Sequence, residues 1–156
     1  MIPFLPPELT NYYKEIEQYV LNYEVISCVQ AAKAKKIPLE NELKSLLLIT
    51  SSGFLIAHVP GDKKLNNRYI KSAIQCKNVS LASPLDLKKL DLSPGTICAI
   101  RDPIWSMTHL ISEEVLEKSY ISTNDGTRTG FFRFNPKILL LSNSHIIGQY
   151  SKELLQ

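Results

Sequence analysis

The chain has 156 residues, 44% of them hydrophobic and 21% charged, and a formal net charge of +3. That length suits one domain over 1–156, able to bury roughly two thirds of its unfolded surface and so to fold without metal or disulfide. No apolar run approaches the ~20 residues of a membrane span, and the charge is too weak to mark a nucleic-acid binder by itself.

Three cysteines, Cys28, Cys76 and Cys98, are odd in number and lack CxxC spacing. They argue against a disulfide framework and for a reducing compartment. With only three scattered histidines, a structural zinc site is not expected. Residues 1–8 are apolar but short, broken by prolines and without a basic n-region, so a cytoplasmic location is expected.

In chain order, a helix is expected from about Pro7 to Asn22, with Tyr12, Ile16, Tyr19 and Val20 as its apolar stripe. A short strand follows over Tyr23–Cys28, then an Ala- and Lys-rich helix over Val29–Lys36, ended near Pro38. The apolar runs Lys44–Thr50 and Phe54–Val59 flank Ser51-Ser52-Gly53 and read as a hairpin of buried strands. Pro60-Gly61-Asp62 breaks the second strand, and Leu65–Ile74 has helical spacing. Val79–Ala82 is a short strand. Ser83 caps a helix with Pro84 at its first position. Leu92–Thr96 is a turn, and Ile97–Ile100 is apolar and brief. Strands are expected over Trp105–Ile111, Tyr120–Thr123 and Gly130–Phe134, with a helical turn over Ser112–Leu116. A last helix runs from Asn135 to about Leu141, and 151–156 is expected to fray. Short strands interleaved with short helices predict a mixed α/β (α+β) sheet.

No common catalytic signature is present. Lys44 heads an apolar strand. It can snorkel to solvent, or place a partly desolvated ammonium at a cleft where it binds a phosphate or carbonyl oxygen. Gly95, in Ser93-Pro94-Gly95, either frees the backbone for a turn or exposes N–H groups to a substrate oxygen. His58, His109 and His145 each sit among apolar residues and read as core or surface histidines. Cys98 reads as a small core residue, and Lys33, Lys35 and Lys36 as a solvated basic face.

Taken together and in order, these residues resemble the YbaK/prolyl-tRNA-synthetase-associated editing family, over roughly Asn22 to Leu141. The resemblance is carried by Ala31-Ala32-Lys33-Ala34 with Ile37-Pro38-Leu39, by Glu42-Leu43-Lys44-Ser45-Leu46-Leu47-Leu48, and by Val59-Pro60-Gly61-Asp62. It continues in Ala82–Leu87, in the Leu92–Ala99 loop, similar to a G-x-x-x-P motif, and in Ser122–Gly126. It implies a mixed, partly barrel-like sheet flanked by short helices, and hydrolysis of the ester of a mischarged aminoacyl-tRNA, with a prolyl-type tRNA as the candidate, without a cofactor or metal. Lys44 is then the catalytic candidate, contacting the 3′-terminal adenosine or its phosphate. Gly61, Asp62, Gly95, Thr96, Ile97, Cys98, Ala99, Asn124 and Gly126 are candidate substrate contacts. Ile26, Leu46 and Cys98 are expected to line the amino-acid pocket. An aminoacyl-tRNA is the implied partner, with a synthetase as a second candidate and no membrane.

The sequence departs from the family pattern in three places. Ala99 stands where the motif has proline, Asp91 where a glycine precedes the loop, and Phe131 or Phe132 near a late histidine. Three readings stay open: a trans-editing deacylase, a module that binds the same ligand without cleaving it, and a domain in which Lys44 only snorkels.

Overall fold

A computed structural model describes residues 5–154. Among them the chain runs β1 (Glu17–Val20), α1 (Cys28–Lys35), β2 (Leu43–Thr50), β3 (Gly53–Pro60), β4 (Lys63–Leu65), α2 (Asn67–Ile74) and β5 (Val79–Leu81). Then come α3 (Pro84–Lys89), β6 (Thr108–Ser112), α4 (Glu113–Leu116), β7 (Ile121–Asn124), β8 (Gly130–Phe134), β9 (His145–Gly148) and β10 (Ser151–Glu153). Short 3-10 segments lie at Pro7–Glu15, Leu39–Asn41 and Pro136–Leu141.

The expected hairpin is the spine of the fold. Thr50 Oγ1 donates to the Gly53 carbonyl and accepts from the Ser52 N–H, and Gly53 turns the chain at φ +113°. Counting outward from that turn pairs Thr50 with Gly53, Leu47 with Ile56, Ser45 with His58 and Leu43 with Pro60. Side chains alternate across a strand, so a nearly continuous apolar run buries both faces. One face, with Leu48, Leu55, Ala57 and Val59, packs on Ile70 of α2 and on Tyr150. The other, with Leu47 and Ile56, packs on Leu87 of α3 and on Ile104.

The hairpin is the middle of a five-stranded sheet in the order β5-β2-β3-β6-β9. β6 and β9 add in parallel. A second, antiparallel sheet, β1-β8-β7, touches the first at the bridge Glu42–Ser122. No closed barrel forms among the described residues. The third core lies by the second sheet, where Ile16, Leu43, Cys98, Ala99, Ile100, Trp105, Ile121, Phe132 and Phe134 come together.

Four expectations are corrected. The N-terminal helix is a 3-10 segment that stops at Glu15, and Glu17–Val20 is a strand paired with β8. The helical stripe put Tyr19 and Val20 on one face. In the strand they part: Tyr19 stacks on Phe131 while Val20 is 70% exposed. Residues 1–4, before that expected helix, lie outside the described residues. Tyr23–Cys28 is no strand, because Ser27 caps α1 by a capping box with Gln30. The sixth strand starts at Thr108, not at Trp105. The expected frayed tail is ordered at Ser151–Glu153, where β10 pairs with β4; residues 155–156 lie outside the described residues.

Candidate functional site

β5 pairs with Leu48–Thr50 of β2, so among the described residues no strand covers the edge of β2 from Leu43 to Leu47. A cleft of about 380 Å³ lies along it. Its walls are Leu43–Leu47, Ile26–Cys28 at the start of α1, Leu81, Ala82 and Leu87, then Pro94, Gly95, Ile97 and Asn124. A smaller annex of about 40 Å³ shares Ile26, Ser27, Cys28, Leu43, Gly95 and Asn124, and reaches Glu42, Thr123 and Phe131.

Lys44 and Gly95 thus share one cleft, together with the expected Ile97 and Asn124 and the pocket candidates Ile26 and Leu46. The Lys44 ammonium is not loose in it. Nζ donates to the Lys63 carbonyl at 2.5 Å, tying the side chain toward β4. An ammonium has three N–H donors, so two remain for a ligand.

The Gly95 loop is built to hold its shape. Gly95 has φ +85°, and a Cβ there would lie 3.2 Å from Ile26 Cα, so both backbone and space require glycine. Thr96 Oγ1 donates to the Ser93 carbonyl and accepts from the Ser93 N–H. Asn124 Nδ2 donates to the Ile97 carbonyl at 2.8 Å while its Oδ1 accepts from the Gly126 N–H. Arg128 Nε donates to the Pro94 carbonyl. Asp91, which replaces a glycine in the family pattern, has φ +57°, a conformation Asp tolerates better than most residues.

The other expected contacts lie elsewhere. Thr96, Cys98 and Gly126 border a separate depression with Arg101 and Asp102. Cys98 and Ala99 are buried in the core. Gly61 packs on the 3-10 segment before β2: its N–H donates to the Glu42 carbonyl, and a Cβ would fall 2.5 Å from the Leu39 carbonyl oxygen. Asp62, beside it, is not among the cleft walls.

The residue reading missed the polar groups under the annex. The Lys35 side chain is 1% exposed and pairs with the 3% exposed Glu42 at 2.6 Å. Lys35 Nζ also donates to Ser122 Oγ at 2.5 Å and lies 4.0 Å from the Phe131 ring centroid. Burial lowers the Lys35 pKa and raises that of Glu42. Burial, then the Glu42 charge, push the Cys28 thiol up to about 11, so it stays protonated and a poor nucleophile at neutral pH. Among the described residues no cluster of three or more His, Cys, Asp or Glu could hold a metal, and no helix is long and apolar enough to cross a membrane.

Comparison with known proteins bears on the fold and the family. A model of the aminoacyl-tRNA editing domain matches residues 24–140. A proline–tRNA ligase of Leptospira biflexa serovar Patoc is 29% identical over 58 residues, 37% of this chain and only 10% of the ligase. A solved structure described as a "putative trans-editing enzyme for prolyl tRNA synthetase" superposes with a TM-score of 0.80 at 19% identity, over 95% of this chain and 99% of that one. A Marinobacter aquaeolei VT8 protein described as a "putative signal transduction protein" gives 0.69 at 10% identity, over 94% of this chain and 30% of that one. At such identities the structural likenesses speak for the fold. The family match spans most of the chain, including both sides of the cleft: the protein belongs to the aminoacyl-tRNA editing domain family.

Proposed function

We propose that this protein is a trans-editing deacylase that hydrolyses the ester of a mischarged aminoacyl-tRNA, of prolyl type. The observation that carries the reading is the single cleft shared by Lys44, the pinned Gly95 loop and the first turn of α1. It is supported by family membership and by the described role of the structural neighbour. In this reading the 3′-terminal adenosine lies along the open edge of β2, and Lys44 gives a positive charge to the nucleotide end. The backbone around Gly95 holds the aminoacyl carbonyl, and the annex receives a small side chain. With the Cys28 thiol protonated, the cleft has no thiolate nucleophile, so catalysis rests on positioning a water and stabilising the oxyanion. A synthetase is a candidate partner for presenting the tRNA.

The second reading, binding without turnover, is favoured by one feature: Lys44 Nζ is already held by the Lys63 carbonyl. One assay separates the two. Deacylation of a panel of mischarged tRNAs is measured with the wild type and with Lys44→Ala. The enzyme reading expects turnover of at least one member and a fall of roughly 100-fold in the variant, about 2.7 kcal/mol of lost transition-state stabilisation. Equal rates, or no turnover of any member, overturn it; tight binding without turnover selects the second reading.

A further inference from the structure

Behind Ser45, a wall residue of the cleft, lies a polar chain that the positioning mechanism leaves unused. Ser45 Oγ is 2.7 Å from His58 Nδ1, His58 Nε2 is 2.8 Å from His109 Nδ1, and His109 Nε2 is 3.0 Å from the Trp105 carbonyl oxygen. Both imidazoles are fully buried, and the Trp105 ring stands edge-on to His109.

The far end fixes every proton. A carbonyl oxygen only accepts, so His109 Nε2 carries hydrogen. A neutral imidazole has one N–H, which leaves His109 Nδ1 bare and accepting. His58 Nε2 must then be the donor, and His58 Nδ1 is bare. Its partner, the Ser45 hydroxyl, donates to it. Burial, and for His58 the neighbouring ring, hold both histidines below their ordinary pKa, consistent with neutral rings. The chain ends on an amide carbonyl rather than a carboxylate, so it has no anion to stabilise an imidazolium. That argues against Ser45 as a nucleophile activated by a charge relay.

The chain does set polarity. Its hydrogen turned inward, Ser45 Oγ offers the cleft only lone pairs. Lys44, adjacent in the strand, projects to the opposite face of the sheet, and its ammonium is drawn to the Lys63 carbonyl. A cation entering the cleft therefore meets an acceptor at Ser45, while the Lys44 ammonium is engaged by the Lys63 carbonyl.

We propose that Ser45, locked as an acceptor by His58 and His109, receives the α-ammonium group of the aminoacyl ligand and so positions its ester carbonyl. This rests on the reading of the cleft as an aminoacyl-adenosine site.

Two measurements on the full chain test it. Long-range ¹H–¹⁵N correlation reads the tautomers directly: both histidines are expected protonated at Nε2 and bare at Nδ1, and a proton on His58 Nδ1 overturns the lock. The second is calorimetric titration with 3′-(L-alanylamino)-3′-deoxyadenosine and its N-acetyl derivative. The wild type is expected to prefer the free amine at least 10-fold. Ser45→Ala should bring the two within twofold of each other, and Ser45→Thr should restore the preference. Equal binding of both probes by the wild type, or a preference that survives Ser45→Ala, refutes the proposal while the cleft reading stands. Binding of neither probe overturns both.

Discussion

Replacing Lys35 by methionine keeps an unbranched side chain at the site and removes the cation from Glu42, Ser122 and the Phe131 ring. The two charges are 2.6 Å apart and almost wholly enclosed. At an effective dielectric of about 20 their attraction is roughly 6 kcal/mol, opposed by several kcal/mol of desolvation for each ion. The pair is thus near balance as a pair, but far from balance when one member is lost. Lys35→Met should cost about 3–5 kcal/mol at pH 7.5, because an uncompensated carboxylate stays buried. Lys35→Met/Glu42→Leu should recover to within about 1 kcal/mol of the wild type, since apolar groups of similar size suit that site. The acid response gives an independent check. Burial already raises the Glu42 pKa, and losing Lys35, which lowers it, raises it further. The folded state then binds protons more tightly than the unfolded chain, so stability falls as pH rises above the ordinary glutamate value of 4.5. The deficit of the single variant should shrink on going from pH 7.5 to 5. Urea denaturation followed by circular dichroism, arranged as a double-mutant cycle, measures all of this. A single variant within 1 kcal/mol of the wild type, or a double variant no better than the single, would refute the reasoning.

Thiol labelling should follow environment: Cys76, whose pKa is lowered by hydrogen bonds from Ser51 and Asn78, reacts first with a disulfide reagent at pH 8. Cys28, pushed up to about 11, follows, and Cys98, buried and pushed up to about 12, reacts only on unfolding; fast native labelling of Cys98 contradicts the structure. Gly95→Ala should cost about 1–3 kcal/mol, since it forces a side chain into a left-handed conformation against Ile26, and should weaken ligand binding in the cleft; a denaturation midpoint equal to the wild type counts against the loop geometry. The buried histidines predict acid sensitivity of the opposite sign to Glu42. Their folded pKa values lie below the ordinary 6.5, so the unfolded chain binds more protons and stability, flat above pH 6.5, declines as pH falls below it. Replacing both His58 and His109 by phenylalanine should flatten that limb of the curve, and an unchanged slope refutes the assignment.

What was legible in the sequence was local. The hairpin could be read because two apolar runs flank a tight turn, and α3 because Ser83 caps it with Pro84 at its first position. Gly95 was readable as a turn residue because its conformation is set by its own backbone. β1, β9 and β10 were missed because their partners are distant: β1 exists through β8, and β10 through β4. The same limit hid Lys35. It sits between Lys33 and Lys36, which are exposed, and nothing local distinguishes the one lysine turned inward. Only the approach of Glu42 and Ser122 from other elements decides it.

Ser45 and His58 lie between these extremes, and they show how much further local geometry reaches when register is used. Once Ser51-Ser52 is taken as a two-residue turn, counting outward places Ser45 opposite His58, so the first link of the buried chain follows from the hairpin alone. The second link needs β6 beside β3, with His109 paired to Ile56, a parallel contact across 53 residues that no turn specifies. The polarity of Ser45 then depends on the Trp105 carbonyl at the far end. Lys44 marks the cleft by its place in the strand. Whether Ser45 presents the cleft with a donor or an acceptor is decided three groups away, in the core.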